Sequence, residues 1–331
     1  MQFADFFRLP IIDSHVHFVH PERMEDILQI IDTVPCQRIN LVSIPDPDPL
    51  IVNHNRAALL MKERFPERTY ISGALDYSGI LENRSRACDE FANQITKLKS
   101  QGFDGLKLIE GKPLARKYIP FGLDAPEYEG MWSALEELSF PVVMHVADPD
   151  EFWDEQRCPG WARKAGWFYP QPEYPSKEQF YSEVDHVLEA HPNLKIIFAH
   201  FYFLSKSLER AAAFLDAHPK VCFDLAPHLD MYQDFALDPA TVSDFFLRYQ
   251  DRVIYGTDMD TRAMQRSTDG IEYMLSIAWL IRAFLEMDGA FTWPARSTQP
   301  QSYFGLGLPP EVLVKIYAKN FERLFVQPTP R

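Results

Sequence analysis

Positive charge is scarce in this sequence: 33 Lys and Arg stand against 47 Asp and Glu, a formal net charge of -14. Nucleic acid and anionic membrane surfaces both select a basic footprint, so this balance argues against either as a partner. It leaves a small-molecule substrate open, because one site can be locally positive on an acidic protein. Long apolar runs are missing as well, and no stretch approaches the ~20 residues that a membrane helix needs. The opening residues Met1 to Arg8 lack a basic segment followed by an apolar one, so no secretory signal is expected. Cys36, Cys88, Cys158 and Cys222 are scattered and form no C-x-x-C pair, the pattern of reduced thiols in a cytoplasmic protein. Low-complexity segments and Gly/Ser linkers are absent. With 46% hydrophobic and 24% charged residues, the 331-residue chain reads as one soluble globular domain.

What is present is a repeated unit: a short β-branched run, a polar amphipathic stretch, then another run. Eight runs can be read: Ile11 to His17, Arg38 to Ile44 (ending at Pro45–Pro49), Thr69 to Asp76, Gly105 to Ile109, Pro141 to His145, Leu194 to His200, Val221 to Leu225 and Arg252 to Asp258. Helix-like spacing covers Glu22–Asp32, His54–Phe65, Arg84–Gln101, Glu127–Leu138, Lys177–Ala190 and Ser205–His218. Pro66, Pro192 and Pro219 fall where such helices should stop. Strands alternating with helices imply a parallel sheet, and eight units predict a closed (β/α)8 barrel. An open doubly wound sheet is the alternative. It would normally carry a Gly-rich first turn, and here that turn is His-Val-His.

Two segments are too long for plain connections. Ala147–Ser176 is rich in Trp, Phe, Tyr and Pro, and is expected to form a lid-like insertion over the barrel. After the eighth run, a helix-like stretch from Ile271 to Met287 leads to Phe291-Thr-Trp293 and a polar loop. A last helix, Pro310 to Phe325, is expected in the outer layer.

The first run ends in His15-Val-His17. Side chains at i and i+2 of a strand leave the same face, so two imidazoles emerge together, as a transition metal requires. Taken alone, the pair could equally meet solvent or backbone. His145 ends the fifth run, His200 the sixth and Asp258 the eighth. In a barrel those ends converge on one face, where active sites are built. A catalytic zinc takes three or more N/O ligands and keeps a position for water.

Ile12-Asp-Ser-His-Val-His17, Pro-Val-Val-Met-His145, Lys-Ile-Ile-Phe-Ala-His200 and Val-Ile-Tyr-Gly-Thr-Asp258 together resemble the amidohydrolase superfamily. The closing Tyr317-Ala-Lys-Asn-Phe-Glu-Arg-Leu-Phe325 resembles its amidohydrolase-related branch, which includes aminocarboxymuconate-semialdehyde decarboxylase and lactonases. The resemblance implies one divalent ion, zinc first and manganese as an alternative, held by His15, His17, His145 and Asp258. His200 would be a nearby catalytic or substrate-binding imidazole, or a ligand of a second metal. Lys107 and Glu110 are the candidates for a bridging group at strand four. Differing by three, they cannot both face the site from a regular strand, and Lys107 could simply be held inside the barrel by a carboxylate. A mononuclear centre is the first reading, and a binuclear one stays open.

Asp258 can then act as general base and His200 as the group that polarises a carbonyl. Asp13 could hydrogen-bond a group that supports the site, or only the strand-one backbone; Asp224 and His228 flank strand seven and could reach the site from its rim. Arg262 and Arg266, or Arg157 and Arg163 in the aromatic segment, could bind a substrate carboxylate or be solvated surface groups. Trp153 and Trp161 could touch substrate or only pack the lid. The expected activity is hydrolysis of a C–O or C–N bond (lactone, ester or amide) in a small carboxylated or cyclic molecule. Non-oxidative decarboxylation uses the same ligands and is the alternative. A barrel without chemistry that binds a partner is the third reading, and association of like subunits is left open.

Overall fold

The computed structural model describes residues 3–45, 54–266, 269–296 and 303–326. Nine strands form one curled parallel sheet. The first eight positions follow chain order: Ile11–His17, Cys36–Val42, Thr69–Gly73, Gly105–Gly111, Val142–Val146, Ile196–Phe198, Val221–Asp224 and Val253–Ile254. The ninth, Met259–Asp260, pairs with the far side of the first. The eighth run of the sequence is thus one strand with an interruption, and it closes the barrel. The Ser14 N–H donates to the Tyr255 carbonyl at 3.1 Å. Thr257 Oγ1 donates to Asp13 at 2.6 Å, and the Thr257 and His15 N–H groups reach the same carboxylate, each at 3.1 Å. The interruption falls where the two ends pass closest. A Cβ on Gly256 would lie 2.8 Å from Ser14 Oγ, so a larger residue would force a shift there.

Period-two alternation sorts the strands into two cores. Ile12, Val143, Ile197, Cys222 and Ile254 fill the barrel interior. Their neighbours Ile11, Val142, Ile196, Val221 and Val253 face the surrounding helices. A register irregularity between Asp13 and Val16 breaks the alternation on the first strand. It carries His15 and His17 to the inner face although Ile11, of the same parity, faces outward.

The terminal helix differs from expectation. It is interrupted by a π-helical turn at Lys315–Lys319, and Phe321, Leu324 and Phe325 plug the barrel interior rather than its outer layer. Apolar side chains at the N-terminal ends of the strands leave the bottom uncovered, and these rings fill it. Four α-helices escaped the sequence reading, Gly160–Lys164, Met231–Phe235, Pro239–Arg248 and Thr261–Arg266. So did a hairpin pairing Asp288–Phe291 with Tyr303–Leu306. Residues 46–49 of the Pro-Asp-Pro run, 297–302 of the polar loop and the Arg266 side chain lie outside the described residues. Among the described residues no helix is long and apolar enough to cross a membrane.

Candidate metal centre

Three atoms converge at the C-terminal ends of strands one and eight. His15 Nε2 and His17 Nε2 are 3.3 Å apart, and Asp258 Oδ1 lies 3.4 Å from the first and 3.2 Å from the second. Asp258 sits just past the close approach at Gly256 with φ of 56°, a left-handed conformation that turns its carboxylate inward.

Hydrogen placement makes the triangle a fit for a cation. His15 Nδ1 donates to Asp224 Oδ2 at 2.8 Å, so a neutral ring presents a lone pair at Nε2. Burial, reinforced by the Lys107 charge, holds His15 well below its ordinary pKa. Burial alone would raise Asp258, but His15 and the bond from His17 outweigh it and hold the carboxyl well below the usual range. His15 Nε2 and Asp258 Oδ1 thus offer electron pairs, and a cation replacing the hydrogen between His17 and Asp258 would recruit His17 Nε2 as a third donor, the three atoms being mutually 3.2–3.4 Å apart. Ligands bonded to a tetrahedral zinc at about 2.0–2.1 Å are separated by about 3.3–3.4 Å, so the donor set and its spacing both suit such an ion.

His200 and His145 stand beside this triangle and outside it. The rings of His15 and His200 are 5.5 Å apart, and those of His200 and His145 are 4.9 Å apart. His200 is not on its strand but in the turn after it. His200, Phe201, Tyr202 and Phe203 all have φ between 51° and 59°, one left-handed turn of four non-glycine residues. Each such residue costs roughly 1–2 kcal/mol, so the surroundings must hold the turn in place. Asp224 does so by accepting the His200 N–H at 2.7 Å, and Tyr181 by donating to the Tyr202 carbonyl at 3.0 Å. His200 Nδ1 donates to the Ala226 carbonyl at 3.2 Å, and burial keeps the ring neutral. Its Nε2 thus carries a lone pair and can accept a proton. The expected carbonyl-polarising role needs an N–H at that position, which this pairing does not provide.

In His145, Nε2 faces the Ala147 carbonyl at 2.9 Å and Asp148 Oδ1 at 3.3 Å, leaving the lone pair on Nδ1. Asp148 escaped the sequence reading although it lies three residues beyond His145. It is buried and accepts also from Lys112 Nζ at 2.9 Å and Tyr169 Oη at 2.6 Å. Burial would push its carboxyl up, but Lys112, His145 and Tyr169 outweigh that and hold it well below the ordinary range.

Lys107 faces the site and Glu110 does not. Lys107 Nζ lies 3.0 Å from His15 Nε2, and burial lowers it to about 8. Its close partner is thus an imidazole rather than the expected carboxylate. Glu110 turns away to accept from Tyr77 Oη at 2.6 Å.

These groups line one cavity of about 1230 Å³. Lys112, Trp161, Trp167, Phe203, His228 and Arg262 lie on its walls. Arg262 is already engaged by Asp260, with Nη2 and Nε at 2.7 and 2.8 Å from one oxygen. Trp161, 52% exposed, stands at the mouth. Trp153 does not line the cavity: its Nε1 donates to the Pro175 carbonyl at 2.9 Å and its ring packs on Tyr169, so it holds the aromatic segment together. Arg157 pairs with Asp154 and Arg163 stacks on Phe168, both away from the cavity lining.

A family model described as Amidohydrolase matches residues 84–326, and the chain belongs to that family of enzymes. The matched stretch contains Lys107, His145, His200 and Asp258, while His15 and His17 precede it. No curated protein matches the chain. Among solved structures, 2,6-dihydroxybenzoate decarboxylase from Rhizobium is similar, at 16% identity and TM-score 0.58, covering 96% of this chain and 98% of that one. A 5-carboxyvanillate decarboxylase from Novosphingobium aromaticivorans, complexed with manganese and 4-hydroxy-3-methoxy-5-nitrobenzoic acid, aligns at 14% identity and TM-score 0.53, covering 96% of each chain. The 4-oxalomesaconate hydratase of Rhodopseudomonas palustris aligns at 13% identity and TM-score 0.57, covering 95% of each chain. Likeness at such identities establishes the TIM-barrel architecture, and function must be argued from the site.

Proposed function

We propose that this enzyme is a metal-dependent lyase, a non-oxidative decarboxylase of a small planar carboxylic acid. The observation that carries the reading is the His15–His17–Asp258 triangle opening into an aromatic-walled cavity with the Lys107 ammonium beside it. His15, His17 and Asp258 would hold one divalent ion, zinc or manganese, and His145 would join them through Nδ1. Once bound, that ion supplies a Lewis acid for the substrate carboxylate and the charge that develops there. Lys107 adds a buried cation for the same carboxylate. Trp161, Trp167 and Phe203 offer flat apolar surface to a conjugated ring. The segment Ala147–Ser176 acts as a lid that keeps water from the reacting carbon.

Proton handling falls to Asp258 and His200, which present unprotonated atoms to the cavity. The substrate enters as its carboxylate, and these atoms would relay one proton from solvent to the carbon that loses CO2. The C–C bond breaks, its electron pair stays on that carbon, the proton fills the position, and no water is consumed.

Hydrolysis of a lactone, ester or amide is the second reading. It is favoured by Asp258 meeting both histidines through Oδ1 alone, which leaves Oδ2 to take a proton from water. The test is a panel of aromatic and conjugated carboxylates, lactones and amides, incubated in 18O-water with CO2 detection. Release of CO2 with no 18O in the remaining product supports the lyase. An 18O-labelled product without CO2 overturns it in favour of hydrolysis.

A further inference from the structure

Asp148 ties two parts of the cavity together. It lies in the wall, 3% exposed, where the aromatic segment leaves the end of strand five. Its partners come from three places. His145 is on the strand, Lys112 follows strand four, and Tyr169 belongs to the segment. Ala147, the residue between, has φ of 64°, and this left-handed turn lets His145 and Asp148 face one another at a separation of three.

The partners of His145 Nε2 decide its chemistry. The Ala147 carbonyl at 2.9 Å and the Asp148 carboxylate at 3.3 Å can only accept. Nε2 must therefore carry the hydrogen, and the lone pair is fixed on Nδ1. The same carboxylate accepts from Tyr169, and Lys112 spans from it to the Trp167 face, with Nζ 4.5 Å from the ring centroid. Trp167 lines the cavity. One buried carboxylate thus sets both a ring orientation and the position of an aromatic wall.

We infer that Asp148 is a positioning residue that fixes the tautomer and aim of His145 and anchors the aromatic segment over the same cavity. The inference rests on the reading of His145 as part of the metal-binding set. Removing the carboxylate therefore affects metal affinity through His145, whereas removing the Tyr169 hydroxyl loosens the segment alone.

The experiment uses Mn(II) as probe, its free concentration read by electron paramagnetic resonance, with full-length protein. Asp148→Asn places amide hydrogens against existing donors, and it should weaken Mn(II) binding 10–100-fold, the usual effect of losing a group that orients a ligand. In a His145→Ala background the same substitution should change affinity less than about 3-fold, because the group it acts through is gone. Tyr169→Phe should leave Mn(II) affinity within about 3-fold of the parent while raising acrylamide quenching of tryptophan fluorescence. Three results would each overturn the inference. They are unchanged affinity in Asp148→Asn, an equal loss with and without His145, and a Tyr169→Phe loss as large as that of Asp148→Asn. Should Asp148→Asn fail to fold, Asp148→Glu takes its place, because a displaced carboxylate should likewise weaken Mn(II) binding in the parent and change it less than about 3-fold in the His145→Ala background. If the parent protein binds no divalent ion, the functional reading falls and takes this inference with it. If the parent binds and the cycle shows no coupling, only this inference falls.

Discussion

His15 and Asp224 meet at 2.8 Å inside the barrel, one from the first strand and one from the seventh. The carboxylate is completely buried, and its second oxygen takes the backbone N–H of His200 at 2.7 Å. One side chain therefore sets the His15 tautomer and supports the left-handed turn that carries His200. In Asp224→Asn the amide can donate to Nδ1 and push the hydrogen to Nε2, where it faces the triangle. Affinity for a divalent ion should fall 10–100-fold, read by competition with a chromophoric chelator. Unchanged affinity would show that Asp224 serves packing alone.

Asp258 is expected to separate binding from turnover. Asn keeps the size and one oxygen but cannot take a proton at neutral pH. Asp258→Asn should retain metal, with some weakening, while kcat falls by about 10²–10⁴ and KM changes little. Elemental analysis beside steady-state kinetics gives both quantities. A metal-loaded variant with normal turnover would assign the proton to another group.

Barrel closure depends on Asp13. Burial pushes its carboxyl up to about 7 although Thr257 and His15 donate to it. Thr257→Val keeps the shape and removes the hydroxyl that donates at 2.6 Å. The variant should lose about 1–3 kcal/mol, the cost of a buried acceptor left short of a donor. Urea unfolding measures this, and a loss below about 0.5 kcal/mol would mean that the two N–H groups suffice.

Acid should weaken the fold through His228. Burial, with the Lys177 charge adding, depresses its pKa to about 3. The unfolded chain, titrating near 6.5, then binds a proton between those values that the folded chain refuses. Stability is present above the unfolded value and is lost as pH falls. Between pH 7 and pH 5 the loss from this group should be roughly 1–2 kcal/mol. His228→Gln should reduce the difference between unfolding midpoints at the two pH values, and an identical pH dependence would place the acid sensitivity elsewhere.

The sequence exposes whatever follows a periodic rule. Strand one begins and ends at Ile11 and His17 in both readings, and helix Lys177–Ala190 has the same bounds, with Ser176 accepting the Gln179 N–H at its start. The convergence of His15, His17 and Asp258 follows from the barrel rule that gathers strand ends. What stayed hidden depends on irregular backbone. No pattern announces four left-handed residues in His200–Phe203, whose aromatic side chains ordinarily disfavour that region. The terminal helix read as an outer-layer element because its amphipathic spacing does not say whether its apolar face meets strands or fills the barrel floor. Helix Pro239–Arg248 does carry a signal, Asp238 capping and Pro239 in the first turn. Asp148 had one as well, since its spacing from His145 is short enough for a turn to bring them together. Trp153 and Trp161 could not be told apart by composition, because only packing decides which ring meets the cavity and which meets Pro175.

The triangle joins residues roughly 240 positions apart, and the Ser14–Tyr255 bond closes the sheet beside it. At about 5–20 residues per second, a ribosome needs roughly 10–50 s to reach Asp258 after making His17. Throughout that interval the nascent chain displays two histidines with neither their carboxylate neighbour nor the strand that shelters them. If the triangle is the metal site, ions met during synthesis find only this pair, and capture by all three groups waits until the last quarter of the chain is being made. Selection of an ion at this site would thereby be deferred until most of the polypeptide is made, when the assembled pocket, rather than the first histidines to emerge, does the choosing.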